Sequence, residues 1–67
     1  MTFGEKIKLV RYKLYLSQED IARKIGMAFS TVNRWERGHA LPSFKAQAKF
    51  DKFCKDNGIL FNDNGII

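Results

Sequence analysis

The side chains best suited to chemistry lie close together in one short segment, residues 29–37. Ser30, Asn33 and Arg34 stand there between apolar positions, and Phe29 opens the segment with an aromatic ring. Hydroxyl, carboxamide and guanidinium groups form the hydrogen bonds by which proteins contact phosphates and base edges. An arginine can bind guanine O6 and N7 with two such bonds at once. These residue types in one segment favour recognition of a nucleic acid.

Catalytic chemistry has little support in the sequence. No paired-carboxylate motif, glycine-rich phosphate loop or His/Cys metal spacing is present. The acidic side chains stand at predicted helix starts or in tails, where capping explains them. Cys54 has no histidine or activating base near it in the sequence and is interpreted as a small buried hydrophobic residue. We therefore expect no enzymatic activity, no cofactor and no metal site.

Length and composition allow one small globular domain. The chain has 67 residues, of which 45% are hydrophobic and 28% are charged, with a net charge of +5 and a pI near 9.7. Strong positive charge on so small a chain favours an anionic partner such as nucleic acid or a membrane surface. Residues 1–38 hold eight basic and four acidic side chains, whereas residues 39–67 hold four and three. The positive excess lies in the half that contains the polar segment.

The remaining compositional signals predict a cytoplasmic protein. The single cysteine excludes an internal disulfide framework and fits a reducing compartment. No apolar run approaches the roughly 18 residues of a membrane span, and the N-terminus lacks the apolar core of a signal peptide. We expect no membrane partner, and no small-molecule ligand is evident.

Local signals divide the chain into four helical segments and a tail. Pairs with capping-box spacing begin the first two segments, and Pro42 and Ser43 open the fourth. Glycines or an Asn-Gly pair end the last three, because glycine readily adopts the left-handed conformation of a helix C-terminus. The boundary residues are Thr2 with Glu5, Ser17 with Asp20, Gly26, Gly38, and Asn57 with Gly58.

The second and third segments have the spacing of a helix-turn-helix. Residues 18–25 form the first helix of the pair, residues 26–28 a turn that contains glycine, and residues 29–37 the second helix. In this arrangement the first helix crosses the DNA backbone and the second presents its N-terminal side chains to the major groove. Val32 and Trp35 are expected to face the core and leave the polar side chains outside.

The same residues resemble the Xre family, the lambda-repressor and Cro-like helix-turn-helix domains of bacteria and phages. The resemblance covers about residues 5–57 and rests on L-S-Q-E-D-I-A from residue 16, Gly26, W-E-R-G from residue 35 and Pro42-Ser43. It implies a compact all-α bundle of four or five short helices. It also implies binding to duplex DNA, usually as a dimer on a partly palindromic operator. The family's fifth helix is not evident, and a short tail with a turn replaces it.

The resemblance assigns roles to individual residues. Gln18 matches a glutamine that bonds a DNA phosphate, whereas Phe29, Ser30 and Arg34 match base-reading positions. Phe29 lacks the polar group common at its position, so it either offers apolar contact to DNA or packs against the protein or a partner. The predicted DNA-binding residues are Gln18, Lys24, Phe29, Ser30, Thr31, Asn33, Arg34, Arg37 and His39.

Four further residues carry structural expectations from the resemblance. Arg11 and Glu36 match an internal ion pair that joins the first helix to the end of the third. Ala28 stands where relatives place a serine or threonine cap, so the third helix is expected to begin less firmly. Tyr15 stands where a glycine often turns the chain, so that turn is expected to take another geometry.

The prediction is a helix-turn-helix DNA-binding domain over residues 1–58 with a C-terminal tail over residues 59–67. The tail is a possible short strand or dimerisation element. The predicted function is a sequence-specific regulator of transcription, a repressor, that binds double-stranded DNA as a possible homodimer. The alternative is a protein-binding adaptor or an antitoxin-type partner that uses the tail and Phe29 as an apolar docking surface, since the apolar tail belongs to a chain too small to bury it easily. Non-specific binding to DNA is a third hypothesis.

Overall fold

Four helices followed by a two-stranded hairpin make up the computed structural model, which describes all 67 residues. The all-α prediction is confirmed, with four helices and no fifth, and the third helix ends one residue earlier than predicted. The elements are α1 (Phe3–Lys13), α2 (Gln18–Ile25), α3 (Phe29–Glu36), α4 (Phe44–Asp56), β1 (Phe61–Asn62) and β2 (Gly65–Ile66).

Capping boxes set the first residues of α1 and α2. The Thr2 hydroxyl accepts the Glu5 N–H at 3.1 Å, and the Glu5 carboxylate accepts the Thr2 N–H at 2.8 Å. Ser17 and Asp20 make the same exchange at 3.0 and 3.1 Å. Each box satisfies backbone donors that have no partner within the helix. The start of the helix-turn-helix is therefore fixed by hydrogen bonds between near neighbours in the chain.

The turn between α1 and α2 differs from the expectation. Tyr15 adopts the left-handed conformation itself, with φ of 56°, and its side chain is 95% exposed. The turn thus keeps the backbone geometry that glycine would supply, at a cost of roughly 1–2 kcal/mol for a residue with a Cβ. The expectation of a different turn geometry was wrong. The chain accepts this cost in the turn that precedes Ser17, the N-cap of α2.

The core is one cluster to which every helix contributes. Phe3 packs edge-on against Trp35 and Phe50, with ring centroids 5.1 Å apart in both pairs, and so joins α1, α3 and α4. Such aromatic pairs add to the hydrophobic free energy of burial. The buried members of the cluster are Ile7, Val10, Ile21, Ala22, Ile25, Val32, Trp35, Ala46, Phe50, Cys54 and Ile59.

The tail packs onto this core. Ile59 is buried, while Phe61 and Ile66 are half-buried and pack against the cluster. Phe61 pairs with Ile66 across the antiparallel hairpin, and Gly65 lies near Leu9 of α1. An isolated two-stranded hairpin has only marginal stability in water, so its contacts with the helices hold it in place. The expectation that the chain cannot easily bury its tail was wrong for these residues.

The N-terminus of α1 crosses the end of α3 at very short range. Gly4 is buried, and a Cβ atom built there would overlap the carbonyl oxygen of Trp35. Only glycine lets the two backbones approach this closely. No helix of the structure has the length and apolar character that a membrane crossing requires.

Candidate nucleic-acid interface

Helix α3 has one buried and one exposed side. Val32 and Trp35 are buried in the core, at 0% and 3% exposure. Ser30, Arg34 and Arg37 are exposed. Their spacing of four and then three residues places them along one side of the helix axis, opposite the buried pair. The structure therefore presents a hydroxyl and two guanidinium groups in a single row.

The start of α3 carries no side-chain cap. Ala28 occupies the N-cap position, and no side chain bonds the first backbone donors. Phe29 follows, is 48% exposed as a residue, and lies outside the core cluster. This exposure argues against packing within the protein, and contact with DNA and contact with a partner both stay predictions. An aromatic ring there can offer only apolar contact to a ligand.

Two carboxamides join α2 to α3. The Nδ2 atom of Asn33 donates a hydrogen bond of 3.1 Å to Oε1 of Gln18, and both side chains are half-buried. Gln18 is the first residue of α2, where backbone N–H groups have no intrahelical acceptor and carry the positive end of the helix dipole. Both features suit this end of α2 to an anion such as phosphate.

The row along α3 ends at Arg37 and is followed by a turn that contains His39. Arg37 is the C-cap of α3, and both its side chain and that of His39 are exposed. The backbone N–H of His39 bonds the carbonyl oxygen of Arg34 at 2.9 Å, which ties this turn to the helix end. Thr31 is half-buried on the flank of α3. These residues are therefore continuous with the row along α3.

Lys24 is placed differently from the other predicted contacts. It lies near the C-terminal end of α2, at the opposite end from Gln18, and lines an open cleft against α4. Lys49 and Lys52 line the same cleft with Phe53. The structure groups Lys24 with the lysines of α4, and its contact with DNA stays a prediction.

An ion pair holds the end of α3 against α1. Arg11 and Glu36 are in direct contact, with side chains 14% and 5% exposed. The hydrogen bond to Glu36 raises the pKa of the Arg11 guanidinium above its ordinary value. The same guanidinium donates to the carbonyl oxygen of Leu16 at 3.3 Å, so it also ties down the turn before α2. This arrangement fixes the two helices relative to α1 and touches no exposed reading side chain.

Cys54 belongs to the core and not to a reactive site. Its side chain is 5% exposed, and burial raises the pKa of the thiol to about 11. The thiol is therefore neutral at pH 7, and only the thiolate is an effective nucleophile. No group of three or more His, Cys, Asp or Glu side chains is placed to hold a metal ion.

Two features of this surface had no signal in the sequence. The Gln18–Asn33 contact joins residues 15 positions apart, and nothing in their local pattern pairs them. Leu41, in the loop after α3, and Phe44, the first residue of α4, are each 88% exposed. Phe44 was included in the predicted α4 without any indication of its orientation. Both features depend on how the helices are placed relative to one another.

Comparison with known proteins agrees with this geometry. Residues 7–52 match the family model described as Helix-turn-helix, which covers all of α2 and α3. Over 65 residues the chain is 32% identical to a protein named HTH-type transcriptional regulator DicA, of Escherichia coli. That alignment covers 94% of this chain and 48% of the relative, so the chain spans about half of the relative's length. No solved structure gives a significant match.

Proposed function

Since the chain belongs to the Xre-like helix-turn-helix family, we propose that it binds double-stranded DNA sequence-specifically and regulates transcription as a repressor. In this proposal α3 enters the major groove and α2 lies across the phosphate backbone. The relative's printed name, a transcriptional regulator, supports the regulatory role. Repression follows from the same binding, because a domain seated on an operator excludes other proteins from that segment of DNA.

The observation that carries the proposal is the exposed row on α3. Ser30, Arg34 and Arg37 are exposed on the side opposite Val32 and Trp35, in a chain of net charge +5. A row of this length matches the few base pairs that one helix contacts in a major groove. The buried side fixes the helix, and the exposed side is free to meet the bases.

Each residue in the interface has a proposed role. Arg34 binds O6 and N7 of a guanine with two hydrogen bonds, and Ser30 bonds a neighbouring base edge. Phe29 contacts the methyl group of a thymine. The proposed phosphate contacts come from Gln18, Lys24, Thr31, Arg37 and His39. Asn33 belongs to the same interface through its hydrogen bond to Gln18.

The proposed binding unit is a homodimer. One reading helix covers only a few base pairs, so useful specificity normally requires two half-sites about 34 Å apart. Sedimentation of the protein with a duplex that carries one or two half-sites tests this proposal. Two protomers on a two-site duplex with enhanced affinity would support it, and strictly independent binding of single protomers would contradict it.

The experiment that tests the function is selection of bound sequences from a random duplex pool at about 150 mM salt, near physiological ionic strength. The wild type should enrich a two-fold symmetric site. Arg34→Ala should lose discrimination of about 1–3 kcal/mol at one base pair in each half-site and leave the others unchanged. The matched control is Lys55→Ala, an exposed cation near the end of α4, which should enrich the wild-type site. Equal binding to selected and scrambled duplex would favour non-specific DNA binding instead.

A second candidate function is a protein-binding adaptor, and the exposed part of the tail favours it. Leu60 and Ile67 are 65% and 70% exposed beside the hairpin, although their neighbours pack on the core. Because Ile59 is a core residue, substitution is a cleaner test than deletion of the tail. We expect Leu60→Ser with Ile67→Ser to retain DNA affinity if DNA binding is the function. If the wild type enriches no sequence from the duplex pool, the protein-binding adaptor becomes the better-supported function.

A further inference from the structure

From the contact between Asn33 and Gln18 we infer that Asn33 is a positioning residue, which orients the Gln18 carboxamide toward a DNA phosphate instead of reading a base itself. The inference rests on the proposed DNA-binding function and assigns a mechanism to one of its residues. It begins from the hydrogen bond of 3.1 Å from Asn33 Nδ2 to Gln18 Oε1. This is the one side-chain hydrogen bond between α2 and α3.

The bond determines which end of the Gln18 carboxamide is free. A carboxamide carries its oxygen and its nitrogen on opposite sides of one planar carbon, and only the nitrogen can donate to a phosphate. Because Oε1 accepts from Asn33, Nε2 is the atom turned away from that contact. The donor end of Gln18 is therefore presented before DNA arrives, and the oxygen, which phosphate would repel, is occupied.

The surroundings of Gln18 make this orientation useful. Gln18 is the first residue of α2, the end of the helix whose first backbone N–H groups have no intrahelical acceptor. Both side chains are half-buried, which limits the alternative rotamers of Gln18. Holding a flexible side chain in its bound conformation reduces the entropy lost on binding. Asn33 thus increases affinity through Gln18.

A double-mutant cycle tests this inference. Asn33→Ala is expected to lower affinity about three- to tenfold, the equivalent of one net hydrogen bond, on every duplex sequence alike. Gln18→Ala should lower it at least as much, and the double variant should bind no more weakly than Gln18→Ala alone. The slope of log affinity against log salt should stay unchanged, since no cation is removed.

A second variant tests the direction of the hydrogen bond. Asn33→Asp has only acceptor oxygens, so it would attract Nε2 of Gln18 and turn Oε1 toward the phosphate. We expect a larger loss from Asn33→Asp than from Asn33→Ala. The same substitution in a Gln18→Ala background measures the repulsion of DNA by the added charge alone. The loss of affinity by which Asn33→Asp exceeds Asn33→Ala must disappear in the Gln18→Ala background.

A control variant and two contrary outcomes distinguish failure of the positioning role from failure of the proposed DNA binding. Gln47→Ala removes an exposed carboxamide of α4 that makes no side-chain hydrogen bond, and it should leave affinity unchanged. A changed base preference in Asn33→Ala, or additive losses in the cycle, would overturn the positioning role while leaving DNA binding intact. Failure of the folded wild type to bind any duplex would instead overturn the proposed function, and the positioning role with it.

Discussion

Arg11 and Glu36 form a side-on, bidentate ion pair, with Nε and Nη2 of the guanidinium donating to the two carboxylate oxygens at 2.9 and 2.8 Å. The pair joins α1 to the last residue of α3. Paired hydrogen bonds of this kind give both strength and a fixed geometry. They hold α3 in the orientation that exposes Ser30 and Arg34.

The first prediction concerns this pair. Glu36→Ala leaves the Arg11 guanidinium largely buried without its partner, so the free energy of unfolding should fall by about 3 kcal/mol. Urea unfolding followed by circular dichroism measures the change. Lys52→Ala breaks the exposed pair with Asp56 and should cost less than about 1 kcal/mol. Equal losses in the free energy of unfolding would show that burial adds nothing to the stabilising effect of the Arg11–Glu36 pair.

The second prediction concerns the crossing of α1 and α3. Gly4→Ala would stabilise an ordinary helix by about 0.5–1 kcal/mol, but here the new methyl group overlaps the Trp35 carbonyl oxygen. We therefore expect a loss of about 1–3 kcal/mol, as for other overpacked sites. Lys13→Ala, at an exposed position of the same helix, should change stability by less than about 0.5 kcal/mol. A gain in thermal midpoint for Gly4→Ala would contradict the close approach.

The third prediction is a loss of stability in acid that traces to the capping boxes. Hydrogen bonds from Thr2 and Ser17 lower the pKa of Glu5 and Asp20 below their ordinary values of 4.5 and 3.8. A carboxyl with a lowered folded-state pKa stabilises the protein above the ordinary value and loses that effect as pH falls through the lowered one. Stability should therefore fall as the pH decreases below 4.5.

The test compares the wild type with a variant that carries Glu5→Gln and Asp20→Asn. The amides retain hydrogen-bonding capacity but do not titrate, so the variant should show a shallower decline of its unfolding midpoint in acid. Both proteins are measured in urea across the pH range. Parallel curves for the two proteins would assign the acid sensitivity to other carboxylates.

The fourth prediction separates phosphate contacts from base contacts. Arg37→Ala should weaken binding to all duplex sequences and reduce the slope of log affinity against log salt by about 1, because one cation no longer displaces a counterion. Fluorescence anisotropy at several salt concentrations gives the slope. Lys55→Ala serves as the matched loss of one exposed charge and should leave the slope almost unchanged. An unaltered slope in Arg37→Ala would show that Arg37 makes no contact with a DNA phosphate.

The four helices could be predicted because their signals act between near neighbours. The pairs Thr2–Glu5 and Ser17–Asp20 begin helices by hydrogen bonds across three residues, and Gly26 ends α2 by its own conformation. The family resemblance added the positions on α3 and the pairing of Arg11 with Glu36. The positions of the candidate interface could therefore be assigned from the sequence, and their contacts with DNA stay predictions.

Only the tertiary structure decided which distant residues meet. The bond between Asn33 and Gln18, the grouping of Lys24 with α4, and the packing of Phe61 against the core follow from how the helices are placed. Local sequence patterns carry no information on such contacts, because each depends on the crossing of two elements. Tyr15 shows the same limit, since in the turn between α1 and α2 it adopts a left-handed backbone that its residue type disfavours. The sequence by itself determined the elements and the likeness to a family, and the packing of those elements decided which side chains form the surface.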